Sequence, residues 1–241
     1  MKRFAALLLA LAILPLSLSA RAGDAAELNI LGFSADGGVF AFEEYGIQDG
    51  SGFPYANRFY IDTATDAFLP GTPIRVRIDD EAASLEDARA EARTSGEAIV
   101  SEAELAANRG TTAGYNAITE LSADPHRMTV NPRKVMPPID QPVEFRLDEI
   151  PFEASQTCEP FGPAMGFRLV RTGLEPGKTA ALLHEDTSIP ASRNCALGYR
   201  IGAVQTFFPE AGDPVFAVLI SVRSFGFEGP DHRWIALPGR L

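Results

Sequence analysis

"GFSADGGVFAF" (residues 32–42) sets two apolar stretches on either side of a Ser-Ala-Asp-Gly-Gly corner. Phe33 leads in and Val39-Phe40-Ala41-Phe42 leads out, so the segment reads as a tight hairpin between two strands. Asp36 brings a short carboxylate to nearby backbone amides, and Gly37 or Gly38 takes positive φ without a Cβ clash. Working outward, residues 28–33 and 39–45 are the strands on either side. "NRFYID" (57–62) follows the loop "GIQDGSGFP" as a third strand. The opening is therefore a three-stranded antiparallel meander.

The end of the chain echoes it. "FSADGGVFAF" (33–42) aligns with "FPEAGDPVFAV" (208–218), and Arg58-Phe59-Tyr60-Ile61 with Arg233-Trp234-Ile235-Ala236. Val39 precedes Arg58 by 19 residues and Val215 precedes Arg233 by 18, so two meanders of similar length are expected. "HRMTV" (126–130) resembles the strand "HRWIA" (232–236) but lacks a matching upstream partner. The opening corner resembles a blade turn of a propeller, yet a propeller needs four or more radial repeats and this period is interrupted.

The interruption is helical. Residues 80–108 are rich in Ala and Glu and lack Pro. Ser84 with Asp87 forms a capping box, and Leu85, Ala88, Ala92, Ile99 and Ala103 recur at helical spacing. Thr94-Ser95-Gly96 is expected to split the stretch into two helices, with Gly110 as C-cap; the Ala-rich face packs shallowly on a sheet. "NPRKVMPPIDQP" (131–142) holds four prolines and reads as an extended connector. Strands resume with "PVEFRLDEI", where Val143, Phe145 and Leu147 alternate. A hairpin follows at 167–183 around Glu175-Pro176-Gly177, and three closing strands lie near 199–208, 215–225 and 232–237. The expected fold is mainly β (α+β): one β-rich domain of antiparallel meanders, as two packed sheets or an open barrel, with a helical insert at about 80–108.

The first residues set the compartment. Lys2 and Arg3 precede an apolar run over residues 4–18, about 15 residues against the roughly 20 that span a bilayer, and Pro15 interrupts it. Ala20-Arg21-Ala22 then offers small residues for cleavage after Ala22, the pattern of a secretory signal peptide over 1–22. Cleavage leaves residues 23–241 with no stable membrane insertion, in the periplasm or secreted. It removes three cations and no acid, taking the net charge from −11 to −14. That balance argues against nucleic acid as a partner. Cys158 and Cys195 are the two cysteines, and in an exported chain they read as one disulfide closing 37 residues.

The stretches "GFSADGGVFAFEEYGIQDGSGFPYANRFYIDT", "LHEDTSIPASRNCALGYRIGAVQTFFPE" and "RSFGFEGPDHRWIAL" resemble an uncharacterised bacterial family of predicted secreted proteins, a domain of unknown function. The resemblance implies export and a single domain. It implies no activity, cofactor or catalytic residue.

Motifs for chemistry are sparse. G-x-S-x-G, S-x-x-K, H-E-x-x-H, G-x-G-x-x-G and the Walker glycine loop are all missing from the sequence. His126, His184 and His232 lie on separate segments, so a hydrolase or metal site would have to assemble in three dimensions. Glu43, Glu44 and Asp49 beside a Gly-rich loop offer calcium ligands or simply solvated carboxylates. Arg223, Phe225, Phe227, His232, Arg233 and Trp234 form a candidate binding surface, with core filling by alternate aromatics as the other reading. The sequence thus points to a non-enzymatic envelope module without a cofactor, binding an envelope protein or small ligand. A hydrolase and a calcium-stabilised module are the alternatives.

Overall fold

In the computed structural model, which describes residues 23–155, 158–173 and 180–241, the opening corner closes as expected. Gly38 N–H and Ser34 Oγ donate to Asp36 Oδ1 at 2.9 and 2.6 Å, and Gly37 takes φ +73°. Those two bonds hold the Asp36 carboxyl below its usual range. Strands β1 (Glu27–Phe33), β2 (Val39–Ile47) and β3 (Pro54–Asp62) form the expected meander. Two short strands, β4 (Ala67–Phe68) and β5 (Ile74–Arg77), both pair with β3 and complete an N-terminal sheet. The signal segment and the 175–177 turn lie outside the described residues.

Helices α1 (Leu85–Gly96) and α2 (Glu102–Ala107) cover the outer face of that sheet. The Ser84–Asp87 capping box is present. The helices part at residues 97–101, just after the Thr94-Ser95-Gly96 stretch, because Ser101 caps a new turn by accepting from Glu104 N–H. The C-cap is Asn108, whose Nδ2 donates to Glu104 O, two residues before the expected Gly110. Ala88 and Ala92 let α1 sit close on Ala56 and Val76. Beneath it, fully buried Glu43 accepts from Arg58 Nε at 3.3 Å and Arg89 Nη2 at 2.8 Å, and Arg58 also pairs with Glu102. The helices are thus tied to the sheet by ion pairs to a buried carboxylate and arginine as well as by apolar contact. Gly32, at φ +138°, gives α2 room: a Cβ there would lie 2.2 Å from Leu105 O.

The second half of the chain builds two more antiparallel sheets. β7 (Arg127–Val130), β8 (Val143–Phe152), β9 (Ala164–Gly173) and β10 (Ala181–Glu185) form a middle sheet in the order β10-β9-β8-β7. β6 (Thr111–Tyr115) joins β11 (Ala196–Phe207), β12 (Val215–Ser224) and β13 (Asp231–Arg240) in a C-terminal sheet ordered β13-β12-β11-β6. Cys158 and Cys195 are disulfide-bonded with Cα atoms 5.4 Å apart, tying the segment before β9 to the start of β11.

The C-terminal sheet lies between the other two. Along β12, Val215, Ala217 and Leu219 pack with Phe33, Phe40 and Phe42 of the N-terminal sheet. Phe216, Val218 and Ile220 pack with Phe145, Leu147 and Leu169 of the middle sheet. The architecture is therefore helices on three sheets, without a closed barrel.

The echo between the ends holds for topology and not for register. Arg58 pairs with Glu43, four residues beyond Val39, whereas Arg233 pairs with Val222, seven beyond Val215.

Candidate functional site

Strand alternation in β2 sends Glu43 under the helices and Glu44 the other way, toward the C-terminal sheet. There Glu44 accepts from the backbone N–H of Trp234 at 2.7 Å and from Asn57 Nδ2 at 3.0 Å. Burial raises its carboxyl above the ordinary 4.5, and these two bonds offset only part of that. Trp234 Nε1 donates to Ala26 O at 2.8 Å, and its ring lies over Gly202, where a Cβ would come within 2.3 Å of Cζ3. Residues 24–26 run along edge strand β13: Ala26 N–H donates to His232 O and His232 N–H to Asp24 O. Asp24 accepts from Tyr55 Oη at 2.9 Å and Arg233 Nη2 at 2.6 Å. Burial raises its carboxyl against the pull of Arg233 and Tyr55.

Above this floor a recess of about 380 Å³ opens between the N-terminal and C-terminal sheets, with Phe59, Phe68 and Ile235 as its apolar wall. A second recess of about 410 Å³ shares Asn57, Arg75 and Arg233 with it and adds Arg77. In β5 the buried Val76 separates exposed Arg75 and Arg77, so both guanidinium groups leave the sheet on the open side. Three of the arginines around the two recesses are committed. Arg77 grips Asp79 through two bonds of 2.7 and 3.3 Å, Arg233 holds Asp24, and Arg193 holds Asp186 at 2.6 Å. Arg75 differs. Its guanidinium carbon lies 5.7 Å from the Phe59 ring centre and it feels the field of Glu44. Among the described residues it has no hydrogen-bond or ion-pair partner.

The expected surface divides. Arg233 and Trp234 reach the recess, although Trp234 is only 3% exposed. Arg223 turns to Leu197 O at 3.0 Å, and Phe225 stacks on Phe161 with centroids 3.6 Å apart. Phe227 is 81% exposed against Gly50. Phe225 and Phe227 therefore do not fill the core; they follow the end of β12, where no sheet covers them.

The histidines also scatter. His126 Nε2 lies 3.1 Å from Tyr199 O, His184 Nε2 lies 2.9 Å from Asp186 Oδ1, and His232 Nδ1 lies 3.1 Å from Ser221 Oγ. The last pair has the geometry of a nucleophile and its base, and burial, followed by Arg223 and Arg200, holds His232 below its usual pKa. Ser221 is 1% exposed, however, so no substrate carbonyl reaches it. Glu43, Glu44 and Asp49 diverge: the first faces α1, the second Trp234, and Asp49 Oδ2 accepts from Glu228 N–H. Among the described residues no three His, Cys, Asp or Glu side chains converge on a metal-sized point.

Arg75 and Asn57 were not among the sequence candidates. The signal for Arg75 was "IRVR" (74–77), a period-2 strand with Arg on one face and Val76 on the other. The recess itself joins residues far apart in the chain, so local reading does not find it.

A family model described as "Predicted secreted protein (DUF2259)" matches residues 41–240. No curated protein and no solved structure matches the chain. The chain belongs to this family of predicted secreted proteins of unknown function.

Proposed function

We propose that this member of a secreted family is a non-catalytic binding protein of the cell envelope. It is cleaved after Ala22, works in the periplasm or beyond as a single unit of residues 23–241, and seats a small ligand between its first and last meanders. The observation that carries this reading is Arg75, an exposed cation with open donors at the rim of a recess whose other charges are already bonded. A site with an apolar wall, a few fixed polar groups and a volume of several hundred Å³ suits a small molecule. A buried carboxylate displaced from its ordinary range at the recess floor is typical of functional sites. The scattered histidines and enclosed Ser221 favour binding over hydrolysis.

The test uses residues 23–241 incubated with a small-molecule extract of the envelope, with retained compounds read by mass spectrometry. Ser192 is exposed on the rim of the recess, and Ser192→Phe should fill it without touching the core. The wild type should enrich a compound that Ser192→Phe does not. Equal enrichment by both, or by neither, removes the recess as the seat.

A further inference from the structure

Accepting the recess as a seat, its free valences limit what it holds. Every charged side chain bordering it except Arg75 is engaged. Glu44 accepts two hydrogen bonds, Asp231 Oδ1 accepts from Asp24 N–H at 2.9 Å, Arg193 is spent on Asp186, and Arg233 is spent on Asp24. A ligand therefore meets one charged group with no hydrogen-bond or ion-pair partner among the described residues, and it is a planar fork of five N–H donors. That fork matches the two oxygens of a carboxylate or phosphate in a bidentate pair. The Phe59 ring beneath the guanidinium restrains it from below, so less side-chain freedom is lost on binding. Glu44 lies close enough to act on Arg75 electrostatically yet makes no ion pair with it, so an incoming anion displaces no partner. Beside the fork, Phe59, Phe68 and Ile235 offer an apolar wall, and only one side of the ligand meets charge.

We propose that the recess binds a small organic oxyanion, an apolar body bearing one carboxylate or phosphate, with Arg75 pairing to the charged group and Phe59 and Phe68 packing against the body.

The protein carries its own reporter, because Trp234 is its only tryptophan and lines the recess. Residues 23–241 are titrated with cyclohexanecarboxylate, cyclohexyl phosphate and cyclohexanol while tryptophan emission is followed. At least one of the two anions should give a saturable change, and the stronger of them identifies the headgroup. Cyclohexanol should give none at the same concentrations. Arg75→Gln should raise the anion Kd tenfold or more with an unchanged melting temperature, whereas Arg146→Gln, an exposed arginine of β8 remote from the recess, should leave Kd unchanged. An equal response to cyclohexanol, a Kd indifferent to Arg75→Gln, or silence toward both anions overturns the oxyanion assignment. None of these outcomes touches the retention experiment with Ser192→Phe, which judges the seat itself.

Discussion

Two buried carboxylates sit at the two joints of the C-terminal sheet, and their surroundings treat them oppositely. At the joint with the middle sheet, Asp186 is gripped from every side. It binds His184, the N–H of Phe167 at 2.9 Å, and Arg193, which reaches on to Tyr199 Oη at 3.3 Å. Burial alone would raise this carboxyl, but those hydrogen bonds outweigh it and hold it below 3.8. At the joint with the N-terminal sheet, Glu44 has two neutral donors and, among the described residues, no ion pair, and burial wins. The first joint is sealed by saturating its charge. The second is left open, with Arg75 at its mouth lacking a hydrogen-bond or ion-pair partner among the described residues. The contrast separates a saturated ion network from a carboxylate left with neutral donors, a distinction that burial by itself does not make.

The largest expected effect lies beside the sealed joint. Replacing Cys158 and Cys195 together by Ser should lower unfolding free energy by roughly 4 kcal/mol on chain-entropy grounds, as the bond closes a 37-residue separation. Urea unfolding measures it; a loss below about 1 kcal/mol would mean the sealed joint holds without its covalent tie.

Next, Asp186→Ala should destabilise by about 3 kcal/mol at pH 7, since it strands Arg193 in a largely buried position. The Asp186 contribution is present above the ordinary 3.8 and is lost as pH falls through the depressed folded value. The gap between wild type and variant should therefore close only in that acidic range. A gap that stays unchanged through that acidic range would show that packing, not charge, seals the joint.

The open joint should respond with the opposite sign. Glu44 has its folded pKa raised above 4.5, so rising pH through that interval penalises the wild-type fold. Glu44→Gln should gain on the order of 1 kcal/mol at pH 8 and nothing below pH 4.5. A loss at pH 8 would place Glu44 with Asp186 as a stabilising charge and erase the contrast.

The smallest effect on stability belongs to Arg75→Ala, within about 0.5 kcal/mol in thermal unfolding, because an exposed cation without an ion pair has little to lose. A larger loss would mean that Arg75 supports the fold and not a ligand.

Much of this architecture was legible in local pattern. The Asp36 corner, the Ser84 capping box and the cysteine pair each combine a residue type with a short-range requirement, and each appears where expected. The third sheet layer was less visible, although "VFAVLISV" (215–222) carries its mark. An unbroken apolar strand needs a partner on both faces, and the expected alternation of a half-buried strand is missing there. The echo extends to two meanders and stops short of register: Arg58 is held by Glu43 of its own meander, Arg233 by Asp24 from the start of the domain. The open joint was out of reach for the same reason. Glu44 and Trp234 are 190 residues apart in the chain, and only tertiary packing brings them into contact.

One consequence follows from where the sandwiched sheet falls in the chain. β11, β12 and β13 follow every strand of both flanking sheets in the sequence, yet both flanking sheets need them as the surface to bury against. Neither flanking sheet has a surface for its inner apolar face until those three strands are in place.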